Sequence, residues 1–223
     1  MAVDTRGAAR RPLRRDAQQN RQRIVEAARE LFAARGLEAT HNEVAHHAGV
    51  GVGTVYRRFP TKEELVDAIF EDGIDEITAL GDAALSKPDS WQGLVFFIDE
   101  MCQLTARDQG LREAVLSRTH GGDRVEAARL RLDPVVAKVV EKARADGHLR
   151  ADICDTDLPL VSIIAGAVTE FAGDIRPDLW RRYVTLVLDG MRAQTHPTPL
   201  PVGPLSPEQH EAAMRSWSPA RQR

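Results

Sequence analysis

Apolar residues recur along this chain at helical spacing, and nowhere does the alternation of a strand accumulate. Ile24, Ala27, Ala28, Leu31 and Phe32 fall at i, i+3, i+4, i+7 and i+8, the stripe of a first strong helix. Gly36 stands where a left-handed residue ends such a helix, with Leu37 placed to fold back on Phe32. Thr40-x-x-Glu43 has the form of a capping box. It predicts a second, short helix that buries Val44, Ala45 and Ala48 and stops at Gly49. Residues 52 to 59 allow about two further helical turns. Phe59 precedes Pro60, which disfavours the helical conformation at 59 and ends that helix. Thr61-x-x-Glu64 is a second capping box and opens a long helix through Leu65, Ile69, Gly73, Ile77 and Leu80.

Beyond Pro88 the helical pattern continues. Residues 90–107 carry Trp91, Leu94, Val95, Ile98, Met101 and Cys102 on one face and Phe97 and Leu104 on another, which predicts a central helix. A short helix is expected at 111–118, and a longer one at 124–146, interrupted or kinked at Asp133-Pro134. Segments 156–173 and 178–193 close the body. The last of these has two apolar stripes, Trp180, Val184, Val187 and Met191 on one side and Leu179, Tyr183, Leu186 and Gly190 on the other. Such a helix needs two partners, its own core and something else. After Gln194 the character changes, for six of the twelve prolines fall in the last thirty residues. The pattern thus predicts an all-α protein with four parts. Residues 1–16 form a disordered basic arm and 17–64 a helix-turn-helix unit. Residues 65–193 form a helical body, and 194–223 a disordered Pro-rich tail.

Charge sharpens this division. Residues 1–60 hold eleven Arg, no Lys and six acids, a net of +5, whereas the remainder holds nineteen bases and twenty-seven acids, a net of -8. A basic head on an acidic body suggests that only the head meets a polyanion. The whole chain of 223 residues, 43% hydrophobic and 28% charged, has enough apolar content for a sizeable core. No apolar run approaches the roughly 18 residues of a membrane span. The basic N-terminus has no apolar segment after it and is not expected to be a secretory signal. Cys102 and Cys154 lie far apart, in no metal or redox spacing, and are expected to be buried free thiols in a cytoplasmic protein.

The candidate chemistry lies in "GVGTVYRRFPTKEEL", residues 51–65. Two short helices joined by a glycine turn and packed on a longer one describe a helix-turn-helix. Gly51 and Gly53 remove side chains where the second short helix begins, so its backbone can approach a phosphate or a base edge. Tyr56, Arg57 and Arg58 supply a phenolic donor and two guanidinium forks. Lys62 sits in the first turn of the next helix, where the macrodipole favours an acid, so an anion is expected nearby.

Residues 23–69, "RIVEAARELFAARGLEATHNEVAHHAGVGVGTVYRRFPTKEELVDAI", resemble the N-terminal DNA-binding domain of TetR-type transcriptional regulators. The resemblance rests on Phe-x-x-x-Gly closing the first helix, then Thr, hydrophobic-Ala-x-x-Ala-Gly-Val, and Gly-Thr-hydrophobic-Tyr-x-x-Phe-x-x-Lys. A weaker one, "ADGHLRAD" at 145–152, is similar to the loop before the dimerisation helices of many members. The resemblance implies a regulator of transcription, usually a repressor, acting as a homodimer on a double-stranded DNA operator and responding to a small-molecule effector. It implies that Tyr56, Lys62 and the helix start at Thr40 grip phosphates. Asn42, Val52, Gly53, Thr54 and Arg57 would lie nearest base edges, with Arg58 at the groove wall. Position 51, commonly a capping serine, is Gly here, a cap weaker by a few tenths of a kcal/mol.

For the dimer interface, Gly166 and the stripe of Trp180, Val184, Val187 and Met191, with Tyr183 beside it, are the candidates. The effector is expected in a mostly apolar pocket lined by Phe97, Met101, Leu104 and Phe171. No cofactor or metal is expected. His46 and His47 are adjacent on a helix and point about 100° apart, too far to share one ion. "THGGD" at 119–123 lacks the Gly-x-Ser-x-Gly elbow an oxyanion loop would accompany. Asp99 and Glu100 stand as possible acid/base residues, but no nucleophile–base pair joins them, so an enzyme is not expected. The remaining alternative is a DNA-binding or architectural protein without an effector.

Overall fold

In a computed structural model, which describes residues 10–35, 39–107 and 123–216, the chain is built from helices. Among the described residues there is no strand, only an isolated antiparallel bridge between Leu149 and Arg192. The helices are α1 (Arg10–Arg35), α2 (His41–Ala48), α3 (Val52–Arg58), α4 (Lys62–Leu85), α5 (Ser90–Arg107), α6 (Asp123–Ala145), α7 (Leu158–Ala172), α8 (Leu179–Met191) and α9 (Pro207–Ser216). The cap expected at Gly36–Leu37, the short helix at 111–118 and the loop at 119–122 lie outside the described residues. None of the described helices is long and apolar enough to cross a membrane.

The chain divides into two compact units, residues 1–69 and 70–223, so the division falls inside α4 rather than at Glu64. In the first unit the apolar stripe of α1 (Ile24, Val25, Ala27, Ala28) is buried, as are Val44, Ala45 and Ala48 of α2. Val55 is the buried residue of α3, and Phe59 behind it is 2% exposed. Thr40 caps α2 with both halves of its box, Thr40 Oγ1 accepting from the Glu43 N–H and the Glu43 carboxylate accepting from the Thr40 N–H at 2.8 Å. Gly49 ends α2 at φ 64°, a left-handed conformation that costs glycine nothing. The Val50 N–H then reaches back to the Ala45 carbonyl at 3.0 Å and the Gly49 N–H to His46. Arg23 of α1 donates to the Ala48 carbonyl at 2.8 Å, which ties the tight turn to the first helix. At the other side Phe59, extended at φ -134° and ψ 83°, stops α3 before Pro60, and Thr61 accepts from the Glu64 N–H to start α4.

The second unit is organised around α5, whose Leu94, Phe97, Ile98 and Cys102 are fully buried. Ile74 and Ile77 of α4, Val139 and Ala143 of α6, and Leu158 and Val161 of α7 are buried as well, and α5 packs on α6 and α7. Asp99, the possible acid, is instead paired with Arg181, which also binds Gln103 and so joins α5 to α8.

Several sequence expectations change here. The helix at 124–146 is neither interrupted nor opened anew at Asp133-Pro134, because α6 runs through Pro134. Leu130 and Pro134 both face solvent, so water can meet the carbonyl that loses its N–H partner. Helix α1 begins at Arg10, inside the segment read as an arm. The Pro-rich tail contains α9, opened by a reciprocal box in which Ser206 and Gln209 bond each other's backbone N–H. Cys102 is buried, with its thiol 3.9 Å from the Ser162 hydroxyl, but Cys154 is only half-buried.

The two stripes of α8 also exchange roles. Trp180, Val184 and Met191 are 4%, 2% and 5% exposed and belong to the protomer's own core, as does Gly166 on α7. Val187 is half-buried, while Tyr183 and Leu186 face outward. Trp180, Val184 and Met191 take the core side of α8, leaving Tyr183 and Leu186 of the second stripe uncovered. Phe171, expected in a pocket, is 87% exposed on the outer side of α7.

Candidate functional site

Helix α3 is held by one side and open on the other. Val55 and Phe59 fix it in the core. Val52, Gly53, Tyr56, Arg57 and Arg58 are exposed, and Thr54 is half-buried. Residues 52, 53, 56 and 57 fall at i, i+1, i+4 and i+5, one face of a helix. Gly51 caps this helix with no side-chain bond. A methyl added at Gly53 would meet no other atom within 4 Å, so the protein's own packing does not require glycine there.

Thr40 and Asn42 are exposed at the start of α2, and between them His41 makes two contacts that join α2 to α3. Its ring stacks on Tyr56, with centroids 4.7 Å apart and planes 11° apart. Its Nε2–H donates to the Phe59 carbonyl, 2.9 Å away. A carbonyl can only accept, so this bond fixes the proton on Nε2. The stack holds the phenol of Tyr56 outward without burying it, for Tyr56 remains 48% exposed. Sequence reasoning missed this role of His41. Lys62, expected beside an anion, has its ammonium 6.0 Å from the centre of the Phe32 ring. His47 is within 2.6 Å of the Glu30 carboxylate, and His46 faces solvent. Among the described residues no group of three or more His, Cys, Asp or Glu is placed to hold a metal ion.

The second unit contains a cavity of about 390 Å³. Met101 lines it, together with Ile74 and Ile77 from α4, Leu158 and Ser162 from α7, and Met214 from α9. Phe97 and Leu104 do not line it; Phe97 is fully buried in the core and Leu104 is half-buried. Phe171 is on the far face of α7. The cavity's polar groups include three buried ones, the Arg129 guanidinium and the hydroxyls of Thr156 and Ser162. Arg129 lies 3.5 Å from Glu126, one turn back on α6.

This arrangement is matched in known proteins. The family model of bacterial regulatory proteins of the tetR family matches residues 24–69, and that of the SbtR-like transcriptional regulator C-terminal domain matches residues 89–193. A TetR transcription regulatory protein from Mycobacterium vanbaalenii is 32% identical, with 82% of this chain and 100% of that one covered and a TM-score of 0.62. A TetR transcriptional regulator from Streptomyces coelicolor is 28% identical over 78% of this chain and 99% of that one, with a TM-score of 0.60. A gamma-butyrolactone receptor shares the fold at 23% identity, over 79% of this chain and 90% of that one, with a TM-score of 0.57. An HTH-type transcriptional regulator of Staphylococcus aureus (strain USA300) is 41% identical over 64 residues, 28% of this chain and 35% of that protein. The chain thus matches about a third of the length of such curated relatives. Both units, the DNA-binding head and the helical body, are those of one group of proteins, and the chain belongs to the TetR family of bacterial transcriptional regulators.

Proposed function

We propose that this regulator is a repressor, a homodimer that occupies a palindromic operator through α3 and is released when a small, mostly apolar effector fills the cavity of the second unit. The observation that carries the reading is the division of α3 into a buried side and an open one. A helix fixed by Val55 and Phe59 can enter a major groove with Val52, Gly53, Thr54 and Arg57 toward base edges. Asn42 adds a base contact from α2. Thr40, Tyr56 and Lys62 hold phosphates, and Arg58 stands at the groove wall.

Dimerisation uses the outward side of α7 and α8. Leu160, Ile164 and Phe171 on α7 and Tyr183 and Leu186 on α8 are all exposed apolar residues on the two helices. A run of this kind on a single protomer favours a two-fold partner. The effector is a molecule with an apolar body and one hydrogen-bond acceptor for Arg129 or Ser162. The cavity falls in the range of about 300–1,000 Å³ typical of small-molecule sites. A lactone, the ligand class named for the receptor of like fold, is one such molecule. The effector lowers operator occupancy only by the difference in its affinity for the bound and free conformations.

The test is a selection of random duplexes on the purified protein at about 0.2 M salt, where contacts to phosphates alone are weak. An inverted repeat is the expected product. Enrichment of single, asymmetric sites, or of none, would overturn the operator reading.

A further inference from the structure

The C-terminal segment lies beyond the family match, which ends at residue 193, yet it reaches the cavity. Its course is fixed by two bonds from the body. The buried Arg150 guanidinium, paired with Asp152, donates to the Thr198 carbonyl at 2.9 Å. Thr156, itself at the cavity, donates to the Leu205 carbonyl at 3.2 Å. These bonds bring the start of α9 to the cavity rim. Its Pro207, His210 and Met214 then line the cavity together with Ile77 and Met101.

This wall differs in kind from the others. Helices α4 to α7 are held by many fully buried side chains, whereas α9 has one buried residue, Met214, at 8% exposure. It is 10 residues long, shorter than the roughly 12–15 at which an isolated helix becomes marginally stable. Helix α9 therefore depends on its seat over the cavity. Of the elements around the ligand space it can leave without breaking the core.

On the reading of this cavity as the effector site, we propose that α9 is a movable, ligand-contacting wall of it. An apolar molecule with one hydrogen-bond acceptor enters when α9 lifts and is enclosed between Met101 and Met214 when α9 seats again. His210, on the same face of α9 one turn before Met214, offers the ligand a polar contact from this side.

The probe for a test is 6-propionyl-2-(dimethylamino)naphthalene, a neutral naphthalene with one ketone acceptor whose fluorescence rises and shifts to the blue in apolar surroundings. The protein should bind it saturably, and Met101→Trp should abolish that binding by filling the space. Met214→Asp should speed probe dissociation by at least about tenfold, while Met214→Leu stays within about twofold of the parent. In the unaltered protein, bound probe should slow amide exchange over residues 208–216 by roughly fivefold or more. If Met101→Trp blocks the probe but Met214→Asp leaves its dissociation unchanged and exchange in α9 does not slow, the wall proposal is wrong and the effector cavity stands. If the probe does not bind, or binds Met101→Trp equally well, the cavity itself is not a ligand site and the proposal fails with it.

Discussion

His41 lies flat on Tyr56, 4.7 Å between ring centroids, and its Nε2–H is bonded to the Phe59 carbonyl at the end of the same helix. One imidazole thus fixes both the outward pose of the tyrosine and the stop of α3. His41→Ala should weaken operator binding by about three- to tenfold, the loss expected when an aromatic contact of about 0.5–1.5 kcal/mol no longer orients the phenol. His41→Phe keeps the stack and should recover most of the affinity. Fluorescence anisotropy on a labelled operator checks this, and equal binding by the alanine variant would remove His41 from the interface.

Gly53 separates stability from recognition. Because an added methyl meets nothing within 4 Å, Gly53→Ala should raise or preserve thermal stability, alanine being favoured over glycine in a helix by about 1 kcal/mol. The same methyl should still reduce operator affinity if the α3 backbone lies against DNA. Thermal unfolding and anisotropy on one preparation supply both numbers. Unchanged affinity would mean that Gly53 does not face the groove.

The phosphate contacts differ in their salt response. Lys62→Ala should weaken binding to all sequences alike and lower the salt slope by about one unit. Tyr56→Phe should weaken binding uniformly too, but with little change of slope, since it removes a hydrogen bond and no charge. Titrations from about 50 to 200 mM salt distinguish the two. An unaltered slope for Lys62→Ala would leave its ammonium with Phe32 alone.

The two stripes of α8 give opposite mutational signatures. Ile164→Asp combined with Leu186→Asp should yield folded monomers by sedimentation at micromolar concentration, because both side chains face outward. Trp180→Ala, in the core, should instead cost about 3–5 kcal/mol of folding stability. A double variant that remains dimeric would place the partner elsewhere.

Cys102 gives a pH-dependent readout. Burial pushes its thiol up to about 12, with the Ser162 hydroxyl opposing the shift. In the unfolded chain a thiol titrates near about 8.5. The native state therefore holds the proton more tightly, and its stability advantage, complete below about pH 8.5, declines as pH rises toward the folded value. At pH 8 the native protein should react with iodoacetamide at the half-buried Cys154 and not at Cys102. Rapid modification of both in the folded state would contradict this environment.

The helix-turn-helix was legible because its signals are local. Capping boxes, Gly49, the Phe59–Pro60 stop and the stripe of α1 each act within a few residues. The His41–Tyr56 stack was not, since it joins residues on two helices and no spacing rule marks it. The stripes of α8 were both visible, but which one the core takes depends on how bulky side chains fit against α5 and α7. The tail was misread for a different reason. Its prolines dominated the composition, while Ser206, Pro207 and Gln209 already had the form of a helix start. Met214 is the one residue of that helix buried to seat it.

The central claim, that the open face of α3 reads an operator with two-fold symmetry, is tested most directly through Arg57. Anisotropy would compare the parent and Arg57→Ala on a panel of operators altered one base pair at a time. The account predicts that the variant loses discrimination, by about 1–3 kcal/mol, at one base pair in each half-site and keeps it elsewhere. A uniform loss across the panel, or an unchanged base preference, would contradict it.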